Sequence, residues 1–312
     1  LLPAPPSARV VEPRQGERET IAFLGALTGI TAIGIDVLLP ALGDIRTAFD
    51  LAPDATQVSL LVTFYLIGLG LGQLVCGPFA DRFGRRPVIF VGLAIFVLAA
   101  LGVVIAPTLE VAMVLRFVMG LGASTPRAMA MAVARDRWHG DAMARVMALV
   151  MMFFMLAPAV APLFGQAILA LGSWEAIFVF MALVGVILGL WSYRFEETLA
   201  PADRIPLTFE RTRRSAGIVV GSRWAMGHGL LVMFELGAFV TFLGSSELIF
   251  DDVFGRGDQF AFFFAGGALV MAAANLVVSR LIPRVGAERV MMAITVGYVA
   301  VAAVFYVLTA AA

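Results

Sequence analysis

The sequence predicts an all-α, polytopic membrane protein, and three observations carry that expectation. Hydrophobic residues make up 61% of the 312 positions and charged residues only 14%, with a mean hydropathy of +0.96, too apolar for a soluble domain. Apolar runs of about 20 residues, the length that crosses a bilayer, recur along the chain. Two of them flank the stretch Gly77-Pro78-Phe79-Ala80-Asp81-Arg82-Phe83-Gly84-Arg85-Arg86-Pro87. That stretch packs glycines, an acid and three arginines into a turn too short for a domain of its own.

In order, residues 1–20 are rich in proline and charge without apolar periodicity, and read as a disordered tail. Ile21–Leu42 follows; it is too long for the core of a signal peptide and reads as a retained first span. Gln57–Phe79 carries Gly68, Gly70 and Gly72, which allow close helix approach. Pro87–Ala106 and Glu110–Ala134 come next. Met143–Leu171 carries Pro158 and Pro162, each of which removes a backbone hydrogen bond and weakens the helix. Trp174–Tyr193 completes six spans, and 194–224 is the longest polar connection. Ala225–Phe250, Phe260–Leu281 and Glu288–Ala310 are three more, so nine spans are expected.

Charge placement orients the chain. Its net charge is zero, from 22 basic and 22 acidic residues, and every basic residue is arginine. With the N-terminus inside, only Arg46 and Arg256 fall in outer loops, and Arg116 and Arg127 fall within a span. The remaining 18 of the 22 arginines lie in inner segments. Positive residues mark the cytoplasmic side, so the N-terminus is expected there and 194–224 is expected to be a cytoplasmic central loop. A weak echo between Asp81–Val88 and Pro283–Val290 suggests two repeated halves. On that reading 21–193 is a six-helix bundle and 225–312 the first three helices of a second, nine of an expected twelve. The chain starts at Leu1 and stops in apolar sequence at Ala312, so the last three spans are expected beyond it. The one cysteine, Cys76, has no intrachain partner and supports no redox inference.

Ionisable side chains in lipid cost several kcal/mol and by default face a cavity or a partner. Asp36 and Arg116 each lie about six residues from the outer ends of the first and fourth spans. At about 1.5 Å per residue both sit roughly 9 Å deep, where they either form a buried structural pair or line a shared cavity. A carboxylate in such a cavity exchanges protons as water and charged neighbours come and go. Glu235 falls near the middle of the seventh span and is an equal candidate for the coupling site. Arg127, nearer the inner end of the fourth span, is expected to snorkel. Glu247 is expected to be solvated at the outer end of the seventh span, and His228 to be interfacial.

Several motifs point to one family. The pattern of Gly77, Asp81, Arg82, Gly84, Arg85 and Arg86 resembles the loop between helices 2 and 3 of the major facilitator superfamily. Ile35–Leu42 resembles the first-helix signature of its twelve-helix drug/proton antiporters, particularly the Bcr/CflA-like multidrug-resistance branch. Leu115–Gly122 is similar to their fourth-helix motif, whose arginine is implicated in proton coupling. Ala157–Gly165, with Pro158, Pro162 and Gly165, resembles their fifth-helix antiporter motif, and Glu197-Thr198-Leu199 is usual after their sixth span. Departures are Met119 for a common glutamine, Ala157 and Ala161 for glycines, and Thr28 where some relatives carry a second carboxylate. These put part of the proton path in question and leave Glu235 to share it.

The resemblance implies that helices 1, 4 and 7 line a central cavity, so that Asp36, Arg116 and Glu235 face it. It also implies that the arginine loop is a cytoplasmic gate held against the eleventh helix. The expected function is proton-coupled efflux of small hydrophobic or cationic compounds by alternating access, from a monomer in the bacterial cytoplasmic membrane. The partners are then the substrate, protons and the lipid bilayer, with no nucleic acid, cofactor or metal. A metabolite such as a sugar or an amino acid is the alternative cargo, and a non-transporting membrane scaffold is the reading from another class. No metal-ligand spacing or nucleophile–base set points to an enzyme.

Overall fold

A computed structural model describes residues 16–52, 55–206 and 208–310, and among them every regular element is a helix. Helix α1 (Glu17–Asp36) begins before the first expected span, because its opening turn has polar partners. Arg137 donates to Thr20 Oγ1 at 2.8 Å, Trp191 Nε1 donates to Glu19 at 3.2 Å, and Arg194 pairs with Glu19 at 3.1 Å. The tail boundary expected at Thr20 therefore falls before Glu17; residues 1–15 lie outside the described residues. α1 ends at Asp36 for a local reason. Pro40 lacks the N–H that would continue the ladder, and its ring would strike the carbonyl four residues back, that of Asp36. The chain passes through a 3₁₀ turn at Leu39–Ala41 and resumes as α2 (Leu42–Ala48).

Five further helices complete the first group: α3 (Leu60–Phe83), α4 (Arg85–Val104), α5 (Leu109–Arg137), α6 (Gly140–Leu171) and α7 (Trp174–Ser192). α5 packs against α3, α4 and α1; α1 also packs against α6, and α4 against α7. α1 is the most enclosed, with Phe23, Leu24, Leu27 and Ile30 fully buried. The outer faces of α3, α4 and α7 expose Leu74, Leu98 and Leu190, side chains as apolar as the lipid tails that would cover them.

Glycine sets the tightest contact. Gly68 of α3 lies on the Phe117 carbonyl and Gly120 of α5 on the Tyr65 carbonyl, so the two backbones touch where no Cβ intervenes. Gly72 does the same against Ser124 of α5. Gly70 does not: it lies on the other side of α3 with nothing within 4 Å of its absent Cβ.

The polar connection expected over 194–224 contains a helix, α8 (Phe209–Gly221), before α9 (Arg223–Asp252) begins. α10 (Phe260–Val285) and α11 (Ala287–Ala310) follow. One structural unit runs to Ala265; Gly266–Ala312 forms a second, the rest of α10 joined to α11 through Gly286. Each of the nine expected spans overlaps a helix, the first of them broken after Asp36. Among the described residues six stretches are long and apolar enough to cross a membrane, and they contain α1–α2, α3, α4, α5, α7 and α9. α6, α10 and α11 include side chains outside the described set and contribute the shorter apolar segments Val160–Leu171, Phe260–Met271 and Arg289–Val304.

Candidate functional site

The break at the end of α1 leaves a buried carboxylate, Asp36, as the last residue of the helix. Asp36 is buried, and among the described residues its side chain has neither a hydrogen bond nor an ion pair. Arg116 of α5 is completely buried. The two do not form an ion pair among the described residues, so the structural-pair reading fails. Arg116 instead donates from Nε to the Leu61 carbonyl at 3.1 Å and approaches the Met119 sulfur at 3.5 Å. Its guanidinium lies over the Tyr65 ring, 4.4 Å from the centroid, with Phe178 at 5.8 Å. Met119, a departure from the motif the chain resembles, thus supplies a soft acceptor. Among the described residues Arg116 Nη2 has no partner.

Tyr65 is the residue that sequence reasoning missed. It is fully buried on α3, donates its hydroxyl to the Thr31 carbonyl of α1 at 3.2 Å, and lies within electrostatic reach of Asp36, Arg116 and Arg127. Gly34 leaves room for that hydroxyl. The acid and the base therefore share a neighbour without sharing a bond. The available signal was weak: a tyrosine, one of only four, in an otherwise apolar span.

Arg127 is half-buried with its guanidinium 4.6 Å from the centre of the Phe154 ring on α6, a cation–π contact rather than a free snorkelling end. Gly165 of α6 seats on the Val37 carbonyl and faces Pro40, so α6 buttresses the break that ends at Asp36. Pro162 is buried on the same helix, and α6 is assigned as unbroken through it. The side chain of Pro158 lies outside the described residues.

Glu235 is placed apart from this group. It is exposed on a part of α9 whose described neighbours are exposed too, and the buried residues of α9 are confined to Leu243, Gly244, Ser246, Glu247 and Leu248. His228 is exposed as well and bonds the Trp224 carbonyl at 2.8 Å. Glu247, expected to be solvated, is buried at 3% exposure.

The arginine loop forms a second polar group at the other end of α3. Gly84 turns the chain with φ +100°, a region open to glycine without Cβ strain. The two backbone N–H groups that open α4 need acceptors, and Glu197 supplies both, taking Arg85 N at 2.8 Å and Arg86 N at 3.1 Å. Arg85 bonds Asp81 at 2.7 Å and Asp136 of α5 at 3.2 Å, and Arg86 donates to the Tyr193 carbonyl at 2.9 Å. Arg82 is exposed. A cavity of about 410 Å³ opens here between α3 and α5, with Gly77, Asp81, Arg85 and Asp136 in its wall. Replacing Glu197 by Ala should cost about 0.5–2 kcal/mol, as loss of a helix cap does, read as a lower thermal midpoint in detergent. An unchanged midpoint would mean that water caps α4 equally well.

The sequence profile of the Major Facilitator Superfamily matches residues 23–312. A bicyclomycin resistance protein homolog of Haemophilus influenzae is 32% identical over 270 residues, covering 86% of this chain and 67% of its own length. The multidrug resistance protein MdtL of Salmonella heidelberg is 30% identical over 235 residues, which are 75% of this chain and 59% of that protein. The chain thus spans about two thirds or less of the length of these relatives. Among solved structures, a bacterial homolog of the human lysosomal transporter Spinster superposes with a TM-score of 0.65 at 17% identity, over 86% of this chain and 62% of that one. A D-xylose–proton symporter follows at 0.59 and 14%, over 85% and 69%. At such identities the likeness is one of fold.

Proposed function

The chain belongs to the major facilitator superfamily of transporters, and we propose that it serves proton-coupled efflux of small hydrophobic or cationic compounds by alternating access. The observation that carries the coupling is Asp36, a buried carboxylate at a helix break that has no polar partner among the described residues. The charge on such a group follows whether water can reach it. Arg116 supplies a buried positive charge on the far side of Tyr65, whose hydroxyl bonds α1 and whose ring lies under the guanidinium. The relatives named for bicyclomycin and multidrug resistance support the choice of cargo. The arginine loop then lies at the cytoplasmic face, where its charge excess places it, the N-terminus is cytoplasmic, and the protein works as a monomer with six helices in the first half and 225–312 opening the second.

The test is to reconstitute the full-length protein in liposomes and impose a proton gradient. Gradient-driven movement of a fluorescent cationic dye is expected, and its absence in folded protein would overturn the proposal. Glu235, on the exposed stretch of α9, is assigned the recognition of cationic cargo. Glu235→Gln should weaken transport of cationic compounds several-fold while neutral ones move as before; equal loss for both would remove Glu235 from cation recognition.

A further inference from the structure

The end of the bundle opposite the arginine loop holds a second charged cluster that the efflux reading does not use. Arg46, near the end of α2, is 9% exposed and grips Asp252, the last residue of α9, with both Nη atoms at 2.9 Å. The carboxylate of Asp251 lies 3.9 Å from the same guanidinium. Glu247, one turn earlier on that face of α9, is buried, and among the described residues its Oε2 has no partner. Here α9 is also packed, with Leu243, Gly244, Ser246 and Leu248 buried and Gly244 facing Ser59, whereas α9 from Trp224 through Phe239 is exposed throughout. α9 is thus fixed to the first helices at one end only, and the contact is a two-pronged charge pair over apolar packing.

We propose that Arg46 is a latch that closes the mouth at this end, with Asp252 as its catch. A planar guanidinium on a carboxylate fixes orientation as well as distance. One cation here faces three acids, Glu247, Asp251 and Asp252. Removing Arg46 takes away the cation that ties these acids to α2, so their carboxylates are better solvated when α9 swings out into water than when it stays docked. Alternating access requires this end to open, so the latch sets how often it does. The inference rests on the transporter reading for its meaning, but its test needs no cargo.

In the full-length protein with Cys76→Ser, spin labels at Leu171→Cys and Phe254→Cys report the opening; both positions are well exposed, at 93% and 62%. Pulsed dipolar spectroscopy in lipid nanodiscs should find mainly the short distance. Arg46→Ala and Asp252→Asn should each raise the ratio of long to short distances about fivefold or more, the scale of a 1 kcal/mol coupling. The exchanged pair Arg46→Asp/Asp252→Arg should return the ratio towards the starting value, and Arg46→Lys, which keeps the charge without the fork, should fall between. An unchanged distribution in Asp252→Asn, or an exchanged pair as open as the single variants, would overturn the latch. Loss of dye transport with these shifts intact would instead count against the efflux reading.

Discussion

Asp36→Asn should reduce proton-driven dye efflux in the full-length protein to the level of empty liposomes, while the protein inserts and folds as before. Asparagine has nearly the shape of aspartate and cannot change charge, so the substitution removes the proton and little else. The packing argument favours a folded variant. The Asp36 side chain has no bond to lose among the described residues, and the break in α1 is set by Pro40, not by the acid. The measurement is dye flux under an imposed proton gradient, with thermal unfolding on the same sample. Unchanged efflux would remove Asp36 from the mechanism. Lost efflux together with a collapsed melting midpoint would make it a structural residue. Tyr65 bonds α1 and lies under the Arg116 guanidinium at once, so it touches both helices at this point.

Gly120→Val should be the most damaging packing change in the first bundle. A Cβ at Gly120 would strike the Tyr65 carbonyl, and Gly68 meets the Phe117 carbonyl in the reciprocal position. Both obstacles are backbone, so neither can rotate away, and α3 and α5 must separate. Overpacking of this kind costs about 1–3 kcal/mol, at times more. The same displacement carries Tyr65 off Arg116, so transport should fall with stability. Gly70→Val is the control, since nothing lies within 4 Å of that site. Its melting midpoint in detergent should stay close to that of the unmodified protein, while that of Gly120→Val drops by several degrees. Equal effects at the two sites would mean that helix propensity, not contact, sets the cost.

Much of the architecture was written in one dimension. Bilayer thickness fixes the length of a spanning run, and backbone satisfaction in lipid leaves helices as the simplest structure to fill it. Composition and run length therefore pointed to the all-α membrane class and to where the long apolar helices fall, though not to α8 or to the break after Asp36, and the crowded motif around Asp81 pointed to the family. Asp36 and Arg116 were legible for a related reason: charge is so costly in lipid that its presence there is itself a signal.

What the sequence left undecided depends on rotation about helix axes and on neighbours far away in the chain. Equal depth does not say which way a side chain points. Asp36 and Arg116 lie at similar depth, yet Arg116 turns to the Leu61 carbonyl and the Tyr65 ring, which only the approach of α3 brings within reach. The partners of Glu197 and Asp252 lie more than a hundred residues away along the chain, and no local pattern announces them. Glu247 read as a solvated end residue because its span stops nearby; it is buried because α9 docks at that end against α2 and the segment before α3. The sequence by itself determined which runs are long and apolar enough to cross a membrane and which charges are out of place in them. Only tertiary packing decided which of those charges meet, because the energy of a contact depends on a distance that chain position does not encode.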